Sequence, residues 1–173
     1  NRKLAINIME KLTKWLKENI VFLIILTAII ITRIFFFSPI RVNGTSMHPT
    51  LQDKEFMILN KISLKQGINR FDIVVVQENN KYIIKRVIGL PGESVMYKDN
   101  KLYINGKAVE DNYSKTTTND FDNVVLGENE YFVMGDNRAV SSDSRIIGPV
   151  NIKNIKGKTN LIIFPFNKMG TVE

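Results

Sequence analysis

Ile20 to Phe37 forms a run of about 18 residues with a single charge, Arg33, close to the shortest helix that spans a hydrocarbon core. No other stretch limits the fold of the chain so strongly. A segment this apolar belongs in lipid or in the centre of a large core. The 173 residues fit one core of modest size plus an appended segment. Arg33 lies near the end of the run, where its stem can snorkel to the headgroups. Ser38-Pro39 then stops the helix. Ahead of the run, Met9 to Asn19 puts Leu12, Trp15 and Leu16 on one face with Lys11, Lys14 and Lys17 around it, an interfacial pattern. Arg2, Lys3 and those lysines precede the span, so the positive-inside rule sets the N-terminus in the cytoplasm and the rest outside. No Ala-x-Ala follows Phe37, so a retained anchor is expected rather than a cleaved leader. The expected division is a cytoplasmic or interfacial segment over 1–19, an anchor over 20–37 and an extracytoplasmic domain over 38–173. The chain opens on Asn rather than Met, which leaves room for residues ahead of it.

The net charge of +7 comes without a dense basic run. A solvated surface with cationic flanks near lipid headgroups accounts for it, and no nucleic acid partner is expected. There is no Cys, which removes disulfides, thiolate catalysis and thiolate metal sites. The single His rules out a His-rich metal site. No metal and no cofactor are expected.

Beyond the anchor the pattern changes to short β-branched and aromatic runs. These are 56–59, 73–76, 82–88, 95–97, 102–104, 131–134 and 161–164. Asn79-Asn80, Pro91-Gly92, Asp99-Asn100 and Asn105-Gly106 separate them as turns. The fold expected is mainly β, built from antiparallel hairpins. Residues 110–123 are polar, with three consecutive threonines and no core pattern, and read as a mobile loop. Phe164, Pro165 and Phe166 suit either lipid contact or the core.

Ser46 follows the anchor closely, on a Gly-containing turn. About nine residues separate it from Phe37, roughly 30 Å at most when extended. A serine needs a base before it attacks anything. The only His is His48. Pro49 favours an extended His48, which would leave the two side chains about 6–7 Å apart, too far for a hydrogen bond. Lys85 is the other candidate. Read as a strand, its face also carries Ile83 and Val87. Burial there would lower its pKa. Work as a base near neutrality needs a fall from about 10.4 to about 7–8, a cost of about 4 kcal/mol. The same lysine on a sheet edge would serve only to block aggregation. Residues 134–145 then pack two acids, two arginines and three serines into one polar stretch. It is either a plain loop or one that is cross-braced by ion pairs and offers a hydroxyl to Lys85.

Together these segments resemble the bacterial type I signal peptidases, membrane-anchored Ser-Lys endopeptidases. Ser46-Met47-His48-Pro49-Thr50-Leu51 resembles the nucleophile box of that family. Arg70-Phe71-Asp72-Ile73-Val74-Val75 resembles its Asp-centred strand, and Lys85 to Gly92 its lysine box. Gly135-Asp136-Asn137-Arg138 with Ser141, Asp143-Ser144-Arg145 and Gly148 resembles its last box. The resemblance implies an antiparallel β catalytic core with a small β accessory region, here about 93–130, after one transmembrane helix, as in the Gram-positive type. It implies Ser46 as nucleophile, Lys85 as general base and Ser141 as the group orienting Lys85. Asp136, Arg86, Asp143 and Arg145 would brace the site. Gly44 stands where some members carry a serine that helps hold the oxyanion. That role would pass to the Ser46 N–H, with Thr45 and Gly44 beside it. Met47, Pro49 and Ile84 would meet substrate. The implied substrates are secretory preproteins cut after small residues at −1 and −3, whose shallow pockets exclude larger side chains.

Two other readings use the same residues. Self-cleaving repressor-type proteases share the Ser-Lys core but need a DNA-binding domain and an Ala-Gly cleavage site, and the sequence has neither. A catalytically silent anchored protein that binds substrates for an assembly system would keep the fold without using Ser46 and Lys85.

Overall fold

The computed structural model describes residues 2–172, as a helix and a β unit that begins at Phe37. The helix, α1, runs from Arg2 to Phe35. Neither Gly nor Pro interrupts it, and extending an existing helix costs little. The 9–19 stretch is therefore helical and continuous with the apolar run. Local bonds reinforce the join, with the Thr13 hydroxyl donating to the Glu10 carbonyl and Asn19 Nδ2 to that of Trp15. Residues 6–35 have a mean hydropathy of 2.1 over their most apolar window, none of it buried in protein. That helix is long and apolar enough to cross a membrane.

Phe37 lies outside the helix, as the first residue of β1 (Phe37–Arg41). Ser38, the residue before a proline, disfavours the helical region. Pro39 can join a sheet because β1 is an edge strand, paired with one neighbour. β2 (Phe56–Asn60), β3 (Ile73–Glu78) and β4 (Lys81–Gly89) follow. A second group is β5 (Ser94–Lys98), β6 (Lys101–Ile104), β7 (Lys107–Val109) and β8 (Phe121–Val125). The chain closes with β9 (Glu130–Met134), the short helix α2 (Ser144–Ile147), β10 (Val150–Asn151), β11 (Ile155–Phe164) and β12 (Gly170–Thr171). Among the described residues all pairings are antiparallel. One sheet has the order β1-β2-β11-β3-β4-β9-β10, with β12 on β11; the other has the order β7-β6-β5-β8. The mainly β architecture agrees with the alternation of apolar residues in the sequence.

That alternation divides the core. Along β9, Tyr131 and Val133 join one cluster with Val74, Val76 and Val87. Phe132 and Met134 point the other way, into a cluster with Val95, Tyr97 and Leu102 of the second sheet. Met47 and Leu51 are the inward anchors of a third cluster, with Val42, Met57, Ile73 and Ile162. Each such side chain contributes about 1.5–3 kcal/mol on burial.

The 110–123 segment departs from the expected mobile loop. Phe121 to Asn123 belong to β8, paired with β5. Upstream of β8, Asp111 forms a buried ion pair with Arg138, and Thr118 is buried. The polar composition that suggested a solvated loop instead supplies partners to a buried arginine. Phe164 and Phe166 are exposed and meet edge-on, with ring centroids 5.5 Å apart, so they lie outside the core.

Candidate active site

Residues 44–51 form a tight turn. Gly44 has φ +89°, a left-handed conformation that suits a residue without Cβ. Its N–H donates to Asp53 Oδ1 at 2.8 Å, which commits that donor away from the turn's mouth. The His48 N–H reaches the Thr45 carbonyl, and the Leu51 N–H that of Met47. These bonds and the burial of Met47 and Leu51 hold the segment in its curl. His48 itself is exposed. Ser46 stands half-buried at the mouth of the turn.

Lys85 comes from the middle of β4 and is 3% exposed. Its Nζ donates to Ser46 Oγ at 2.8 Å and to Ser141 Oγ at 3.0 Å. Burial lowers its pKa to about 8; the Asp143 and Asp136 carboxylates oppose that fall, and Arg145 assists it.

The loop after β9 brings up the remaining groups. Arg86 clasps Asp136 through two bonds, Nε to Oδ1 at 2.9 Å and Nη2 to Oδ2 at 2.8 Å. Both side chains are almost fully buried. The Thr50 hydroxyl donates to the same carboxylate at 2.6 Å. Asp143 caps α2 and takes Nε and Nη2 of Arg145 at 2.8 and 2.9 Å. It also accepts the Gly135 N–H at 3.0 Å. Burial pushes the Asp143 carboxyl up, but Arg145, the Gly135 amide and the Ser141 hydroxyl outweigh it and hold the group below the usual carboxylate range.

A cleft of about 60 Å³ opens beside Ser46, lined by Val42, Gly44, Met47, Tyr82, Ile84 and Lys85 among others. Pro49 is exposed and lines no part of it. A larger depression of about 420 Å³ on the second sheet shares no residue with this cleft.

A serine hydroxyl bonded to a buried lysine amine is an arrangement used for peptide hydrolysis. The family described as "Signal peptidase, peptidase S26" matches residues 12–164. The chain belongs to that family. It is 40% identical to a signal peptidase I of Bacillus licheniformis, over 92% of each chain. It is 38% identical to signal peptidase I S of Bacillus subtilis, over 92% of this chain and 93% of that one. Identity with a signal peptidase I of Streptococcus pneumoniae is 34%, over 94% of this chain and all of that one.

In this signal peptidase family member the structure gathers Ser46, Lys85, Ser141, Arg86, Asp136, Asp143 and Arg145 around one centre. Two further residues, for which no role was expected, join them. Thr50 reaches Asp136. Asn137 ties the Ser46 turn to the loop, its N–H donating to the Ser46 carbonyl and its Nδ2 to that of Thr45. The signal for both was their place inside the boxes that carry the family resemblance.

Proposed function

We propose that the chain is a membrane-bound serine endopeptidase that removes N-terminal signal peptides from secretory preproteins, with Ser46 as nucleophile and Lys85 as general base. The observation that carries this reading is the 2.8 Å bond between Lys85 Nζ and Ser46 Oγ within a buried setting. Neutral Lys85 takes the Ser46 proton as Oγ attacks the scissile carbonyl. The oxyanion settles on the Ser46 N–H, with the Thr45 hydroxyl beside it. The resulting ammonium protonates the leaving amine. That amine departs as the N-terminus of the mature protein, and Lys85 then activates water against the acyl-Ser46 ester, which frees the signal peptide. Ser141 keeps the amine aimed at Ser46 throughout.

The small cleft bounded by Val42, Met47 and Ile84 supports a preference for small side chains at −1 and −3. The basic residues ahead of the apolar stretch support a cytoplasmic N-terminus and an extracellular β domain. The exposed Phe164 and Phe166 suit contact with the outer leaflet.

The test is cleavage of a preprotein by the detergent-solubilised chain, read by sequencing the new N-terminus. Ser46→Ala and Lys85→Ala should each abolish cleavage while the β unit stays folded. Full activity in either variant overturns the dyad. A Lys85 pKa near 10.5 by NMR titration would favour a silent binding protein on the same fold.

A further inference from the structure

The segment from Asp111 to Thr118 grips the loop that carries Ser141. Asp111 Oδ2 accepts from Arg138 Nη2 at 2.6 Å and from the Tyr97 hydroxyl at 2.6 Å. Arg138 extends the network, Nη1 donating to the Tyr97 hydroxyl and to Thr118 Oγ1, and Nε to the Gly135 carbonyl. Its side chain is fully buried, and that of Asp111 is 4% exposed. Two further bonds follow along the loop, one backbone to backbone and one from backbone to side chain. The Lys115 N–H donates to the Asp136 carbonyl, and the Ala139 N–H to Thr116 Oγ1, each at 3.3 Å. Tyr113 lays its ring over the Arg86 guanidinium, with Cζ 3.7 Å from the ring centroid. The same ring meets Phe71, centroid to centroid 5.0 Å. Arg86 is the residue after Lys85 and binds Asp136, so the ring covers the ion pair that seats the loop.

We propose that Asp111 and Tyr113 are positioning residues for the Ser46–Lys85 dyad, Asp111 acting through Arg138 and Tyr113 through Arg86. The proposal rests on the dyad reading given above. Neither residue reaches Ser46. Asp111 fixes the buried arginine that holds the Gly135 carbonyl. Tyr113 keeps water from the Arg86–Asp136 pair, whose geometry sets where Asn137 meets the Ser46 carbonyl. A loosened loop carries Ser141 away from Lys85 and lets water reach the amine.

The test uses the full chain in detergent with a preprotein substrate, comparing wild type, Tyr113→Phe, Tyr113→Leu and Asp111→Asn. Tyr113→Phe keeps the ring and should match wild type. Tyr113→Leu and Asp111→Asn should lower kcat about tenfold with KM nearly unchanged. Wetting of Lys85 raises its pKa, so the acid limb of the pH–rate profile should move to higher pH by about half a unit. A merely structural role would reduce the folded fraction and leave the limb in place. Wild-type kcat and limb in Tyr113→Leu, or an equal loss in Tyr113→Phe, overturns the proposal. If Tyr113→Leu fails to fold, the shape-conserving Asp111→Asn decides by the same two readouts. Wild type and Lys85→Ala run alongside test the dyad itself. NMR titration of Lys85 in wild type and Asp111→Asn tests the brace even where no substrate is cut, and an identical Lys85 pKa in both overturns it.

Discussion

The amide of Asn137 donates to the carbonyl oxygen of Ser46 at 3.0 Å, so the nucleophile turn and the loop bearing Ser141 are joined backbone to backbone. Gly135 makes that approach possible. A Cβ placed there would collide with the Ser46 carbonyl oxygen and with the Ser141 hydroxyl. Gly135→Ala should therefore push the loop off the turn while leaving the cleft walls at Val42 and Ile84 in place. The expected result is a fall in kcat of about 100-fold with KM little changed. Single-turnover cleavage of a preprotein separates the two constants.

Lys85 must be neutral to accept the Ser46 proton. Its pKa of about 8, set chiefly by burial, gives the pH dependence its sign. Below that value the ammonium predominates, and kcat/KM should fall about tenfold per pH unit. Above it the rate should level off. An acid limb centred near pH 10 instead would mean the amine is as wet as an ordinary lysine. The profile is measured as kcat/KM, with substrate well below KM, where it reports the pKa of the free chain.

The same burial costs stability. In the unfolded chain the lysine titrates near 10.5, in the folded one at about 8. Below about pH 8 both states are protonated and the native state bears the whole cost, of order 3 kcal/mol. Between the two values the unfolded state holds more protons, so stability rises with pH as the cost is relieved. Lys85→Met should abolish cleavage yet stabilise the β unit at about pH 7 by about 1–2 kcal/mol, after allowing for the loss of the hydrogen bonds to Ser46 and Ser141. The gain should shrink toward about pH 10. Thermal unfolding in detergent, followed by circular dichroism across that range, checks it.

The fold was legible where structure is local. β3, β4 and β9 are β-branched runs that match the period of a strand. The turns at Asn79-Asn80, Asp99-Asn100 and Asn105-Gly106 all take positive φ, which those residue types tolerate. β1 escaped because Phe37 read as part of the apolar run and Ser38-Pro39 only as the stop of that helix; pairing on one side only lets Pro39 join the sheet. The brace at Asp111 escaped for another reason. Its partner Arg138 is distant in sequence, and no periodic pattern marks an approach between two polar stretches. The same applies to Lys85 and Ser141, which lie 56 residues apart and are linked in the sequence only by the family resemblance.

Arg86 and Asp136 allow stability and positioning to be separated. Their bidentate pair is almost wholly buried. Asp136→Leu would leave a buried guanidinium without its carboxylate, and a loss of about 3–5 kcal/mol is expected. Replacing both charges, as in Arg86→Met with Asp136→Leu, removes that penalty, and much of the stability should return. Activity should not return with it. The Thr50 hydroxyl loses its acceptor, and Asn137 is no longer held in line with the Ser46 carbonyl. Thermal unfolding and kcat measured on wild type, the single variant and the double variant give the comparison. Recovery of both in the double variant would reduce the pair to packing, whereas recovery of stability alone assigns it to holding the Ser46 turn in register with Lys85.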